Sequence, residues 1–314
     1  MKHIAFTIDN KFVRYCAVTM ISALTNDKPT NLHFHIVAND LTEQNKEILT
    51  DMATSKGAYI SFYNVPEEKL DGYTIRWEKH RLPMIVFYRC LLASILPESV
   101  DKVLYLDSDL LVLKPLDELW NLNLTEKAIA GVPDDFKANP KHCNRLQYDL
   151  SYNYFNGGVL LLNLTYWRQH DIETQCKVYY RTYPDRVIYN DQDLLNGLLH
   201  DKKVLADIQW NVQENAYRIP KGKSPNWIPP YADIILHPGI LHYSSRKPWQ
   251  YHCMHPLAHL FYQYQDLTPW KGEHVLNHFG ARLHRFIHFL PYTLGWKKQV
   301  YLNLDQHNFN IQKI

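Results

Sequence analysis

The chain alternates short apolar runs with amphipathic segments. Ile4-Ala5-Phe6-Thr7-Ile8 reads as a buried strand, and Tyr15 to Leu24 carries apolar residues at helical spacing, with the small Ala17 and Ala23 among them. Leu32 to Val37 predicts the next strand. Asp40 or Thr42 is placed to cap a helix running through Met52, and Tyr59 to Tyr63 predicts a third strand. Strand, helix, strand, helix, strand is the pattern of a parallel sheet with crossover helices, where ligands bind beyond the carboxyl ends of the strands. The turn Ile8-Asp9-Asn10-Lys11-Phe12 falls at that position.

One stretch breaks the pattern. In Lys102 to Lys114, KVLYLDSDLLVLK, apolar runs flank Asp107-Ser108-Asp109, so two carboxylates interrupt what otherwise reads as sheet interior. Read as an extended strand, it puts Asp107 and Asp109 on one side while Ser108 faces away. Buried like charges repel and lose hydration, a cost that a divalent metal ion offsets. A strand followed by a tight turn, with Asp109 capping something local, is the competing reading.

Further along, Gly72 to Pro83 is polar and aperiodic, the mark of a loop, and Pro83 opens a helix in which Arg89 precedes Leu91, Leu92, Ile95 and Leu96. An Arg there suits a phosphate or one of the acids. Ala128 to Val132 predicts another strand, ending in Pro133-Asp134-Asp135. In Tyr154 to Asn163, Gly157 and Gly158 would let backbone approach a ligand closely, with Asn156 offering an amide to hydroxyls or phosphate; a bulge also accounts for the glycines. Tyr189 to Asn196 begins a short helix whose Asp191 and Asp193 suit the positive end of its dipole, which leaves Gln192 unexplained. Ile234 to Tyr243 brings His237 and His242 close to a strand, and Ser244 to Trp249 follows as a basic, aromatic loop suited to covering an anion. Imidazole with two carboxylates is a set suited to Mn²⁺, whereas all-oxygen sites lean to Mg²⁺ or Ca²⁺. The turn at 8–12 contains neither a dinucleotide fingerprint nor a P-loop. Asp9 is suited to the imide of a base such as uracil and Phe12 to stacking on it, against a plainer reading in which Asp9 and Asn10 form a turn and Phe12 is core.

Composition narrows the function classes. The 314 residues suffice for one large α/β domain with an appendage. No apolar run approaches the length of a bilayer span, and Met1 to Ile4 leads directly into strand-like sequence, so a cytoplasmic protein is expected. Five cysteines without CxxC spacing indicate neither a disulfide framework nor a zinc site. A net charge of +2 argues against nucleic-acid binding. The charge is uneven: from Asp266 to Ile314 six Lys/Arg stand against three acids, Asp266, Glu273 and Asp305, and Lys313 is the last of the cations. Within that tail Leu276, Phe279, Leu283, Phe286, Ile287 and Leu290 recur at helical spacing among His278, Arg282, Arg285 and His288. Such a helix lies in an anionic membrane surface, or packs on the main domain or a partner subunit. The domain boundary is accordingly expected at 265/266.

Taken together, TIDNKF, the Arg89 helix, KVLYLDSDLLV, YFNGGVLLLN with NDQDLLNG, and HYSSRKPW form an ordered set from about Lys2 to Trp249 that resembles glycosyltransferase family 8, and within it the bacterial lipopolysaccharide galactosyl- and glucosyltransferases. The resemblance implies a GT-A fold, a Rossmann-like nucleotide-binding α/β domain with a mixed central sheet. It implies Asp107, Asp109 and His242 as ligands of Mn²⁺, with Mg²⁺ the alternative, on the diphosphate of UDP-galactose or UDP-glucose. It further implies that Asp9 and Phe12 hold uracil, that Arg89, Asp134, Asn156 and Asp191 hold the sugar or its neighbours, and that Lys247 meets the β-phosphate. Thr7, Asn10, Ser108, Gly157 and Gly158 complete the donor-binding set. Gln192 would lie beneath the anomeric carbon, with Asp193 or Asp191 the alternative covalent candidate. Retention of anomeric configuration, a glycan or lipid-linked acceptor, and peripheral contact of the tail with the cytoplasmic face of the inner membrane belong to the same expectation. The chain departs from the family in having Phe12 where Tyr is usual and in lacking the glycine of an HxGxxKPW block, with Arg246 as a substitute source of charge. The rival readings are an aspartyl phosphatase of the haloacid dehalogenase kind, in which the Asp-x-Asp would stand near the chain start, and a sugar-nucleotide binder without turnover.

Overall fold

A computed structural model of the chain describes residues 1–73, 84–134 and 140–304. Pro83, Asp135, Asp305, Lys313 and most of the loop expected at 72–83 lie outside them. Ten strands are described: β1 (Lys2–Thr7), β2 (Leu32–Val37), β3 (Tyr59–Tyr63), β4 (Lys102–Leu106), β5 (Leu110–Val112), β6 (Ile129–Pro133), β7 (Phe155–Asn163), β8 (Lys203–Leu205), β9 (Val212–Gln213) and β10 (Ile240–His242). Seven build a sheet in the order β3-β2-β1-β4-β7-β6-β8, and β5, β10 and β9 build a smaller one. β1 to β4 run parallel, whereas β7 is antiparallel to both β4 and β6.

The parallel half follows from its sequence. Ile4 and Phe6 pack on one face of β1 with the helix Val13–Asn26, Ala5 packs on the other with Phe87 and Leu91, and all five side chains are buried. Strands covered on both faces read as unbroken apolar runs. Thr42 caps the helix Glu43–Thr54 by accepting from Asn45 N at 3.3 Å. The Arg89 segment begins as a 3-10 helix, Met84–Leu91, and continues into a short α-helix, Leu92–Ile95.

Two expectations change. Lys102 to Lys114 is not one strand: the chain leaves the large sheet after Leu106, bends through Asp107-Ser108-Asp109, and enters the small sheet at Leu110. The carboxylates therefore occupy the passage between two sheets, so strand alternation is not what orients them. The boundary at 265 also fails to coincide with a break in packing. The helix Phe279–Thr293 forms as expected and buries none of its residues, but Tyr301, Leu302 and Leu304 return to the main core. Leu302 N donates to Tyr217 O at 2.8 Å, and Tyr301 pairs with Arg218 as an antiparallel bridge. Among the described residues no helix is long and apolar enough to cross a membrane.

Candidate active site

The passage between the sheets is held from several sides. Asp107 N donates to Gly158 O at 2.9 Å, so the first carboxylate starts where β4 and β7 stop pairing. Its Oδ1 accepts from Tyr105 Oη at 2.7 Å and lies 3.0 Å from an Arg89 nitrogen. The buried Arg89 also donates to Gly157 O at 2.6 Å, covers the Tyr105 ring, and places Nε 3.0 Å from Asp191 Oδ2, an ion pair without an aligned hydrogen bond. One guanidinium thus joins the Asp-Ser-Asp bend, the β7 glycines and the helix Asn190–Leu199. That helix is fixed on β7 by Asn196, which accepts from Phe155 N at 2.9 Å and donates to Phe155 O at 2.8 Å. Burial outweighs Arg89 at Asp191 and pushes its carboxyl up to about 6.

Asp109 and His242 present a different chemistry. Asp109 Oδ1 and His242 Nε2 are buried, lie 3.2 Å apart and make no hydrogen bond. The state of His242 follows from a relay that begins at a backbone donor. Gly158 N–H donates to Asn156 Oδ1 at 2.9 Å, which identifies that atom as oxygen; Asn211 Nδ2 donates to the same oxygen at 2.9 Å; and Asn211 Oδ1 therefore accepts from His242 Nδ1 at 2.8 Å. The proton sits on Nδ1, and Nε2 turns a bare lone pair toward the Asp109 oxygen. Two facing acceptors are repulsive unless a cation joins them. A methyl group on Gly158 would lie 2.5 Å from His242 Cε1 and 2.9 Å from Asp107 Oδ2, so only glycine lets these groups gather. One ligand atom from each of Asp107, Asp109 and His242 falls within 4.8 Å of the others. Two carboxylates, a correctly tautomerised imidazole and its orienting amide fit a divalent cation. Lys247 Nζ bonds Asp109 Oδ2 and donates to Tyr243 O at 2.7 Å. Burial alone would raise the Asp109 carboxyl, but the Lys247 ammonium overrides it and holds it below the usual carboxylate range.

Other predicted residues sort clearly. Gln192 Oε1 accepts from Gly157 N at 2.8 Å and from Asn156 Nδ2 at 3.3 Å, and Asp134 Oδ1 accepts from the same Asn156 amide at 2.9 Å, so Gln192 and Asp134 converge on Asn156. Asp9 closes its own turn, accepting from Lys11 N and Phe12 N, and Asn10 ties the turn to Thr42 and Asn45. Phe12 is not core: it stands 43% exposed, its ring edge-on to Tyr15 with centroids 5.5 Å apart. Thr7 Oγ1 is 3.2 Å from Tyr105 Oη beneath Asp107. Ser108 turns to the Cys16 thiol, away from the gathered groups. Asp193 is fully buried and accepts from Arg145 at 2.6 and 2.8 Å, Tyr154 Oη at 2.8 Å and Ile188 N at 2.7 Å; with its oxygens so committed it is a structural anchor rather than a nucleophile. HYSSRKPW has the full eight residues of the family block, with Ser244 at the glycine position. Arg246 donates to His252 O at 3.5 Å instead of facing the carboxylates. Trp249 stacks on Tyr15 with ring centroids 3.8 Å apart, which pins the loop over the first helix.

Asn211, Tyr105, Arg145 and Glu214 are absent from the sequence-based set. Asn211, Arg145 and Glu214 act through partners far away in the chain and lie in no local motif, whereas Tyr105 sits inside KVLYLDSDLLV as one of its apolar-run residues and shows its role only through its bond to Asp107.

The model of glycosyl transferase family 8 matches residues 3–253. The chain belongs to glycosyltransferase family 8. It is 26% identical to the lipopolysaccharide 1,3-galactosyltransferase of Salmonella typhimurium, over 88% of this chain and 81% of that one. It is 24% identical to the lipopolysaccharide glucosyltransferase WaaO of Escherichia coli, over 87% and 80%. Its structure superposes on the galactosyltransferase LgtC, solved with donor and acceptor sugar analogs, with a TM-score of 0.74 and 27% identity over 86% of this chain and 99% of that one. The fold is the GT-A fold of this glycosyltransferase, and the phosphatase reading falls away.

Proposed function

We propose that this family 8 enzyme moves a hexosyl group, glucose or galactose, from its UDP-sugar to a hydroxyl of a cell-surface glycan or its lipid-linked precursor, with Mn²⁺ bound and with retention of anomeric configuration. The observation that carries the reading is the pair of unpartnered acceptors, Asp109 Oδ1 and His242 Nε2, facing each other beside Asp107. Asp107, Asp109 and His242 would hold the cation, whose charge offsets that of the departing diphosphate. The chain's own residues do the rest. Phe12 offers an exposed ring for the base, next to Asp9. Lys247 carries a mobile positive charge to the β-phosphate, leaving Asp109 free for the metal. Arg89 holds Asp107 and Asp191 in register, so that the sugar's hydroxyls meet Asp134, Asn156 and Asp191. Gln192, a poor nucleophile, rests with its amide oxygen on Gly157 N and the Asn156 amide, and on release from them that oxygen would face the sugar as positive character develops there; Asp191 is the carboxylate available to assist.

The tail supports a peripheral attachment. Phe279, Phe286, Ile287 and Trp296 are 78%, 63%, 58% and 76% exposed in a basic setting, an arrangement suited to an anionic membrane surface at which a lipid-linked acceptor would be presented. A donor screen scored by metal-dependent UDP release tests the function. The reading requires release from UDP-glucose or UDP-galactose that depends on Mn²⁺ and collapses in Asp109→Asn. Release that is unchanged in that variant would overturn it, and tight UDP-sugar binding without turnover would favour a binder that has lost transfer.

A further inference from the structure

A second group of metal-ligating side chains lies at the opposite end of the large sheet. His3 on β1 is in register with His33 on β2, and His35 follows two residues later on the same face. One ring nitrogen of each lies within 4.8 Å of the other two. From His3 to Thr7, beside the donor site, the strand rises by about 13 Å. The cluster is thus separate from Asp107, Asp109 and His242.

We propose that His3, His33 and His35 form a second metal site, specific for Zn²⁺ or a similar imidazole-seeking cation, that staples β1 to β2. His3 Nδ1 and His35 Nε2 stand 2.9 Å apart, close to the ~3.3 Å between two nitrogens of a tetrahedral zinc site. The outward nitrogens are already oriented: Tyr63 Oη lies 3.0 Å from His35 Nδ1, and Ser61 Oγ lies 2.9 Å from His33 Nε2. With Tyr63 Oη accepting from His35 Nδ1, the Nε2 lone pair accepts the Nδ1 proton of His3, a hydrogen bond that a cation bound between the two rings would replace. His33 and His35 stack with ring centroids 4.2 Å apart, and the His3 ring lies 5.4 and 5.1 Å from them, so the three imidazoles form one contiguous group. Burial first, and then neighbouring charge, pushes His3 down to about 4 and His35 to about 3, and burial lowers His33 as well, which keeps these imidazoles neutral and their lone pairs available near neutral pH. Three imidazoles and no carboxylate select the softer Zn²⁺ over Mn²⁺, so the two sites differ in metal as well as in place. His3 and His33 are only partly buried, which leaves the fourth position open to water.

The test uses the full chain, stripped with chelator and titrated with Co²⁺ as a coloured substitute for Zn²⁺. The wild type is expected to develop the intense visible bands of four-coordinate Co²⁺, to lose them on adding Zn²⁺, and to melt at higher temperature with Zn²⁺ bound. Asp109→Asn should keep the bands. His33→Gln and His3→Gln, both at partly exposed positions, should lose them while retaining the wild-type circular dichroism, and Ser61→Ala should weaken Zn²⁺ binding by about tenfold. Absence of the bands in the wild type, their disappearance in Asp109→Asn, or their survival in both histidine variants overturns the proposal.

Discussion

Asn211 Oδ1 accepts the Nδ1 proton of His242 at 2.8 Å, and in doing so sets which nitrogen of that ring is bare. The assignment is anchored by the Gly158 amide through Asn156, so a backbone donor on β7 determines the chemistry of an imidazole on β10. Asn211→Ala is expected to weaken Mn²⁺ binding by about 10- to 100-fold, the usual cost of losing such an orienting partner, with the fold intact. Asn211→Asp, which can still accept from Nδ1, should recover part of the loss. Mn²⁺ titration followed by paramagnetic resonance measures both.

Gly158 makes a sharper case because its methyl analogue has no room. With His242 Cε1 at 2.5 Å, an alanine side chain must push the ring aside or tilt β7. Gly158→Ala should cost about 1–3 kcal/mol of stability as an overpacked core position. It should also lower metal-dependent UDP release far more than that loss explains. Chemical denaturation alongside the release assay separates the two, and unchanged release would remove His242 from the ligand set.

The two halves of the molecule were unequally legible in the sequence. β1, β2 and β3 announce themselves because both faces are buried and their residues are contiguous. KVLYLDSDLLV carries the right residues for a geometry that periodicity misreads: the apolar runs on either side belong to different sheets, which no local pattern reveals. Asp193 looked equivalent to Asp191 two positions away, yet a helical turn aims one at Arg89 and the other at Arg145. Asn211 and Glu214 sit in short irregular segments whose roles come from partners 31 and 32 residues on. Phe12 carried two readings, a platform for a base and a core residue, and the turn that Asp9 closes leaves it exposed, which removes the second.

The Asp193–Arg145 pair gives a prediction that distinguishes anchoring from chemistry. Asp193 is fully buried, so Asp193→Asn leaves the Arg145 charge poorly matched, and a loss of about 3–5 kcal/mol is expected. The remaining folded enzyme should still release UDP near the wild-type rate. A stable variant with no activity would restore Asp193 as a covalent candidate.

Asp191 supplies a pH signature. Its carboxyl rises from 3.8 to about 6 on folding, chiefly through burial. Between those values the folded chain binds the proton that the unfolded chain has released. Stability therefore falls as pH climbs through that window, by on the order of 1 kcal/mol for each pH unit crossed. Subtracting the Asp191→Asn profile from the wild-type profile in metal-free denaturation series should isolate a contribution of that sign. A difference that rises with pH would show Arg89 dominating instead.

Glu214 links the tail to the loop that carries Lys247, and this decides how membrane attachment must be tested. Its Oε2 accepts from Arg246 N at 2.8 Å, while Oε1 accepts from Tyr301 Oη and pairs with Arg218. A chain ending at 265 would remove Tyr301, Leu302 and Leu304 from the core, at a cost on the order of 5 kcal/mol, and would loosen Arg246 and Lys247 together. Loss of vesicle binding in that chain would say nothing about the surface. Phe286→Glu with Trp296→Glu alters only exposed positions and should abolish sedimentation with anionic vesicles while UDP release in solution stays at the wild-type level. Tyr301→Phe should do the opposite, preserving sedimentation but weakening donor use through the Lys247 loop. Vesicle binding that survives the double substitution would assign the exposed aromatic face to a protein partner.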